Sequence, residues 1–476
     1  MRAALLILMG GLLAWIGPIL QAREPNVIVI LTDNEGEWTL GCYGNKDIHT
    51  PNIDRLAREG MRFTHAFANN PVCSPNRATL LTGLMPSQHG VHSYLGAGPP
   101  QTGPGSYCVI KEFTSLGDVF KARGYACGLT GKWHLGNNLH PNAGFTDHWV
   151  TMPLGSTSTF FDAPVLEDGA EHKEPQHLTR FWTQHALKFI EQSKDKPFFL
   201  YLAYNGPYGL GPAQLKDCER VPHWQDYANA PMTSFPRLPM HPWQYNNKDY
   251  LNNDTCIRRY AAELTTIDDG VGEVLAKLKT LGLDQDTLIV FAGDNGWSGG
   301  HHGLWGMGDH TRPKCAFDCT MRVPLIWWQP GKVKPGTSDL LVSHVDFFPS
   351  LTAHLDLHPQ LAPKQKLAGH DYSGALHGAA PTGWNHPVLY EFEEMRCVRT
   401  ASLKLVERHG SRPDEFYDLA GDPDEQHNLI DKPVTAPLIV AVKKLLNDSF
   451  AGLVDSEFDM WNGGRSKAPL LEKKTK

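Results

Sequence analysis

Among the nine cysteines, at positions 42, 73, 108, 127, 218, 256, 315, 319 and 397, there is no C-x-x-C pair, so a zinc-ribbon or thioredoxin-type site is excluded. Positive charge is not in excess. The 44 lysines and arginines against 51 aspartates and glutamates give a net charge of −7, which argues against a nucleic-acid partner. An anionic substrate therefore needs a local basic pocket set against the overall charge. The chain has no internal repeat and no low-complexity tract, which sets aside solenoids and disordered tails. Beyond the first twenty residues no apolar run is long enough to span a membrane, so no stable membrane partner is expected.

What remains is a folded, loop-rich protein of 476 residues with 45 glycines and 35 prolines. That length exceeds one compact domain and fits a large domain with a smaller one. Residues 1–22 read as an export signal: Arg2, an apolar stretch to Leu20, and a cleavage site ending at Ala22. An uncleaved anchor is the alternative, but Gly17 and Pro18 break the run near the cut, which favours cleavage. No cysteine precedes Cys42, against a lipoprotein signal. The expected location is periplasmic or extracellular.

Residues 26–32 form a continuous β-branched run, the pattern of a strand buried on both faces, and Asp33 stands at its carboxyl end. Helices are expected from Pro51 to Gly60, over 114–123, 178–192 and 260–281; strands are expected over 125–130, 198–204, 287–291 and 323–328. This alternation predicts an α/β fold with a large, mixed, mostly parallel sheet sandwiched by helices. Residues 208–255, rich in Pro, Trp, Asn and Tyr, read as a structured insertion on the substrate side. After about residue 355 the pattern weakens, and short runs at 388–392 and 402–406 suggest a small C-terminal α+β subdomain packed on the first. The expected organisation is 1–22 signal, 23–354 catalytic domain and 355–476 C-terminal subdomain.

Cys73-Ser74-Pro75-Asn76-Arg77 reads as a helix start with Ser74 as N-cap, and Gly83 suits the left-handed helix end. Cys73 would then sit where backbone N–H groups favour an anion; a buried structural cysteine accounts for the pentapeptide equally well. Asp33-Asn34 and Asp294-Asn295 each follow a buried strand. One such pair is turn chemistry; two at strand ends point to an oxygen-ligand metal site suited to calcium or magnesium. Arg77 falls one helical turn after Cys73, on the same face. A surface salt-bridge arginine is the alternative. Lys132 and His134, framed by Gly131 and Gly136, alternate on an extended segment and can enter one pocket.

These segments resemble the formylglycine-dependent sulfatase family of the alkaline-phosphatase-like superfamily. The resemblance rests on C-x-P-x-R followed by Thr82-Gly83, on Gly131 to Gly136, on Gly293 to Gly296, on Arg322-Val323-Pro324 and on a tail around residues 416–429. It implies that Cys73 becomes formylglycine through a formylglycine-generating or anaerobic sulfatase-maturing enzyme. It implies a calcium ion, or magnesium, on Asp33, Asn34, residue 73, Asp294 and Asn295. Arg77 steadies the hydrate, Lys132 binds sulfate and His134 is the base. The implied activity is hydrolysis of a sulfate ester, with a sulfated carbohydrate as substrate.

The chain departs from the family in several places. The first ligand pair is Asp-Asn where Asp-Asp is usual. Pro207-Tyr208 replaces Pro-His, and Met307 stands where relatives carry lysine. On the leaving-group side Lys314 is the nearest basic residue, four before Asp318, with Tyr208 as a hydrogen-bonding neighbour and His301 or His302 as further candidates. A solvated loop lysine is the alternative for Lys314. Two other functions stay open at this point: a formylglycine phosphodiesterase or phosphonate monoester hydrolase, and a non-catalytic binding protein. Asn295 in place of histidine argues against the first. Retention of Cys73, Arg77, Lys132 and His134 argues against the second.

Overall fold

The computed structural model describes residues 24–379, 381–410 and 412–470. The export signal read over residues 1–22 lies outside them. Ten strands form one sheet: β1 (Asn26–Asp33), β2 (Met61–Phe67), β3 (Ala126–Gly131), β4 (His148–Thr151), β5 (Ala163–Glu167), β6 (Ala170–Glu174), β7 (Phe198–Pro207), β8 (Thr287–Gly293), β9 (Leu325–Trp328) and β10 (Gly336–Ser343). Their spatial order is β10-β2-β9-β8-β1-β7-β3-β4-β5-β6. The block β8-β1-β7-β3-β4 is parallel throughout, and β9 runs antiparallel between β8 and β2, so the sheet is mixed as expected.

β1 lies at the centre because it can be buried on both faces. Ile28 and Ile30 face a core filled from helices Pro51–Glu59, Leu178–Ser193 and Asp254–Thr280. Val27, Val29 and Leu31 face a second core, filled from helices Cys73–Thr82, Leu116–Ala122 and Phe347–His354. Each of these five side chains is fully buried, worth about 1.5–3 kcal/mol apiece as an upper estimate. The 208–253 insertion folds as short helical turns whose Tyr227, Met232 and Phe235 join the first core.

The C-terminal part carries a four-stranded antiparallel sheet, β11 (Val388–Phe392), β12 (Met395–Arg399), β13 (Leu403–Arg408) and β14 (Glu415–Asp418). One face packs against helix Ala436–Ala451 through Val398, Leu405, Phe416, Val442 and Leu446. The other face, with Tyr390, Phe392 and Cys397, closes an apolar cluster that includes Val72 and Cys73. The small sheet therefore forms part of the wall around residue 73. Among the described residues no helix is long and apolar enough to cross a membrane, and all nine cysteines are free thiols.

Candidate active site

Three strand exits converge here. β1 ends in Asp33, β8 leads into Asp294 and β3 leads through Gly131 to Lys132. The Cys73 Sγ and the carboxylate oxygens of Asp33 and Asp294 lie within 4.8 Å of one another, all buried. Asn34 takes a left-handed turn (φ 63°) and its N–H donates to Asp294 Oδ1 at 3.1 Å. Asn295 Nδ2 donates to Asn34 Oδ1 at 2.9 Å, so the two Asp-Asn pairs are tied together.

Two cations neutralise the two carboxylates. Lys132 Nζ donates to Asp33 Oδ2 at 2.8 Å. Arg77 Nε donates to Asp294 Oδ2 at 3.0 Å, its Nη2 makes an ion-pair contact with the same oxygen at 2.9 Å, and its Nη1 donates to the Lys132 carbonyl at 2.6 Å. Burial raises the Asp33 carboxyl to about 7, against the opposing pull of Lys132 and Arg77. Burial pulls the Lys132 ammonium down, but Asp33, Cys73 and Asp294 together outweigh it, and the net direction is up. Asp33 Oδ1 and Asn295 Oδ1 are buried without a hydrogen-bond partner. Stranded buried oxygens are costly, and acceptors gathered at two strand ends fit a hard cation such as calcium or magnesium.

Burial pushes the Cys73 thiol up to about 12, so it is protonated at neutral pH. His134 Nδ1 lies 3.3 Å from Cys73 Sγ. Its Nε2 lies 3.0 Å from the Leu95 carbonyl, which can only accept, so Nε2 carries the proton and Nδ1 is bare toward residue 73. Burial holds this imidazole well below its ordinary pKa, hence neutral.

Two local expectations are corrected. Ser74 does not cap the helix: the N-cap is Val72, without a side-chain bond, and the turn is tied instead by Asn76 Oδ1, which accepts from the N–H groups of Asn69 and Asn70. Ser74 Oγ accepts from Leu95 N–H and lies 3.0–3.1 Å from both ring nitrogens of His134. Lys132 and His134 do not converge by extended alternation either. His134 sits at φ 58°, and that left-handed turn swings its ring back to Cys73.

The remaining candidates are placed as follows. The Tyr208 backbone N–H donates to Asp33 O at 3.1 Å, and its ring centroid lies 5.9 Å from Lys132 Nζ. Lys314 is buried, paired with the Glu393 carboxylate, and lies 4.2 Å from the Phe392 ring centroid. His301 donates from Nδ1 to Ser298 O and stands edge-on to Trp38; His302 stacks on Phe317 at 4.0 Å. Lys314 thus stands over Phe392, a member of the cluster that holds Cys73, Tyr208 borders the Cys73 group, and the contacts of His301 and His302 are with Ser298, Trp38 and Phe317.

Several residues escaped the sequence reading. The Tyr94 ring stands edge-on to His134 at 4.8 Å. Gly155 leaves room for the imidazole that no side chain would: a Cβ there would lie 2.0 Å from Nε2. Glu35, directly after the first pair, is fully buried and raised by burial to about 8. Only Glu35 adjoins a recognisable motif; Tyr94 and Gly155 lie far from His134 in the chain and carry no local signal.

Comparison with known proteins adds to this geometry. A family model described as Sulfatase matches residues 25–357, and one described as N-sulphoglucosamine sulphohydrolase, C-terminal, matches residues 303–451. N-acetylgalactosamine-6-sulfatase of Rattus norvegicus is 31% identical over 383 residues, covering 73% of this chain and 64% of that protein. The chain therefore matches less than two thirds of that relative's length. N-acetylglucosamine-6-O-sulfatase of Bacteroides thetaiotaomicron is 24% identical over 520 residues, covering 92% of this chain and 88% of that protein. The solved structure of BT4656 in complex with its substrate D-glucosamine-2-N,6-O-disulfate superposes with a TM-score of 0.71 at 22% identity, covering 90% of this chain and 99% of that one.

Proposed function

The chain belongs to the sulfatase family, and from that premise we propose that it is an exported hydrolase of sulfate esters on a carbohydrate. The observation that carries this reading is the setting of Cys73. It stands within 4.8 Å of two buried carboxylates and 3.3 Å from a bare imidazole nitrogen, with both carboxylates bonded to buried cations. A protonated thiol is a poor nucleophile at neutral pH, which supports conversion of Cys73 to formylglycine by a maturing enzyme. The aldehyde hydrate would supply the attacking hydroxyl. Asp33, Asn34, Asp294, Asn295 and the modified residue 73 would hold the cation, calcium or magnesium, whose chemistry is to neutralise charge on the ester oxygens.

The chain's own residues do the rest. Arg77 bonds Asp294 and the Lys132 carbonyl, and so ties the β8 exit, which carries a ligand pair, to the β3 exit, which carries Lys132. Lys132 and Arg77 already balance Asp33 and Asp294, so a bound dication leaves a positive excess that suits an anionic ester. Lys132 presents its ammonium to the sulfate oxygens. His134, neutral and bare at Nδ1, takes a proton at residue 73 when sulfate leaves. Lys314 and Tyr208 serve the departing alcohol, and His301 and His302 the substrate beyond it. Carbohydrate is favoured because the relatives named above are sugar sulfatases.

The test is inorganic sulfate release from a panel of sulfated saccharides by protein co-expressed with a maturing enzyme. The same panel includes phosphodiesters and phosphonate monoesters. Release of sulfate with little turnover of the phosphorus esters is expected. Turnover confined to phosphorus esters would replace this reading with the phosphonate hydrolase one.

A further inference from the structure

Two chain segments, far apart in sequence, meet at the imidazole of His134. The first holds Tyr94, Leu95 and Gly96. The Leu95 carbonyl accepts from His134 Nε2 at 3.0 Å, and the Tyr94 ring stands edge-on to the imidazole at 4.8 Å. This segment has its own anchors. Leu95 N–H donates to Ser74 Oγ at 3.2 Å, and Gln101 Nε2 donates to the Gly96 carbonyl at 2.7 Å. The second segment runs from Met152 to Ser156. Asn138 Nδ2 donates to the Met152 and Pro153 carbonyls at 3.2 and 3.0 Å, which pins it as far as Pro153. Gly155 lies past that anchor and packs directly on the imidazole, where a Cβ would meet Nε2 at 2.0 Å.

A hydrogen bond joins the two segments: Tyr94 O–H donates to Ser156 Oγ at 2.8 Å. Burial pushes the Tyr94 hydroxyl above its ordinary range, so it keeps its proton and remains a donor. The Tyr94 ring also packs on the apolar cluster that holds Cys73, which steadies it. The Leu95 carbonyl fixes one atom of the imidazole and leaves the tilt of the ring open. Tilt decides where Nδ1 points, and Nδ1 is the atom 3.3 Å from Cys73 Sγ. The Tyr94 ring and the Gly155 backbone limit that tilt only while the two segments stay together. Ser156 is exposed and lies past the pinned part of its segment, so its bond to Tyr94 keeps Gly155 against the ring.

We propose that Tyr94 and Ser156 are positioning residues for His134: the hydrogen bond between them closes a clamp around the imidazole and keeps Nδ1 aimed at residue 73. The inference rests on the reading of His134 as the base that acts when sulfate leaves residue 73. A base needs its nitrogen held in line with the proton it takes, and supports of this kind hold it there.

The experiment uses Tyr94→Phe, Ser156→Ala and the double variant, each co-expressed with a maturing enzyme and normalised to folded protein with residue 73 converted. Stopped-flow release of phenol from an aryl sulfate with a good leaving group separates the first turnover from the steady state. Departure of the activated phenol is fast, so the later step at residue 73 limits the steady rate. Each single substitution removes the same hydrogen bond and should lower the steady rate by about three- to tenfold. The first-turnover release should fall less, and KM should not rise. The double variant should be no slower than the slower single variant, because both changes break one interaction. Losses that multiply in the double variant overturn the proposal. So does an equal loss in both phases, which marks a general structural role, or a steady rate unmoved by either substitution. A different result tests the premise: His134→Ala at the parent steady rate refutes the base reading, and no sulfate release by the parent from any ester refutes the sulfatase reading.

Discussion

Replacing Gly155 with alanine probes how the proposed base is held. The added methyl carbon would lie 2.0 Å from His134 Nε2 and 2.1 Å from Cδ2, where contacts under 3.0 Å do not occur. The imidazole cannot stay where it is. It is held by the Leu95 carbonyl and Ser74 Oγ, with the Tyr94 ring against its face. Relief of about 1 Å must come from the ring or from the 153–156 segment, and displacement of that size costs on the order of 100-fold in rate. The barrier rises by about 2.7 kcal/mol. The assay is kcat on a chromogenic aryl sulfate, normalised to folded protein with residue 73 converted. A kcat within about threefold of the parent in a variant whose crystal structure shows the imidazole displaced would remove His134 from the base role.

Other outcomes follow from the same structure. Asp294→Asn should abolish turnover and chelation should lower it; activity that survives both would remove the cation from the account. Lys314→Ala should slow sugar sulfates far more than aryl sulfates, because an activated phenol needs little protonation on leaving; equal small losses would take Lys314 out of the reaction. Asp268 accepts the N–H groups of Asn52 and Ile53 at the start of helix Pro51–Glu59, and burial raises it from 3.8 to about 6. The native state keeps this proton after the unfolded chain has released it, so stability falls as pH rises from about 4 to about 6, by on the order of 3 kcal/mol. Asp268→Asn should flatten that part of the pH–stability curve in chemical denaturation, and an unchanged slope would contradict the shift.

The central strands and the residues at their carboxyl ends were legible because burial on both faces leaves a plain mark in sequence. The β1 run and the approach to Asp294 are continuous and apolar. Outlying strands carry no such mark. β6, Ala-Glu-His-Lys-Glu, is mostly exposed and charged, as suits a sheet edge, and reads as loop. β2 alternates imperfectly and β12 is rich in charge that is buried only in ion pairs, such as Arg396 with Asp459 and Arg399 with Asp318. At the site, the motif residues were found but the reason for their convergence was not. His134 reaches Cys73 through a left-handed turn, and Ser74 meets the imidazole rather than the helix end. Backbone turns of that kind depend on distant partners such as Leu95 and Gly155, which no local pattern encodes.

The central claim is that Cys73 acts only after conversion. The most direct measurement is the mass of the peptide carrying residue 73, taken on the same preparations whose kcat for sulfate release is measured, across a series with increasing co-expression of a maturing enzyme. The account predicts a species lighter by about 18 Da, the thiol side chain having become an aldehyde, and a kcat that rises in proportion to its fraction. Full activity in protein whose residue 73 is entirely unmodified cysteine would contradict it.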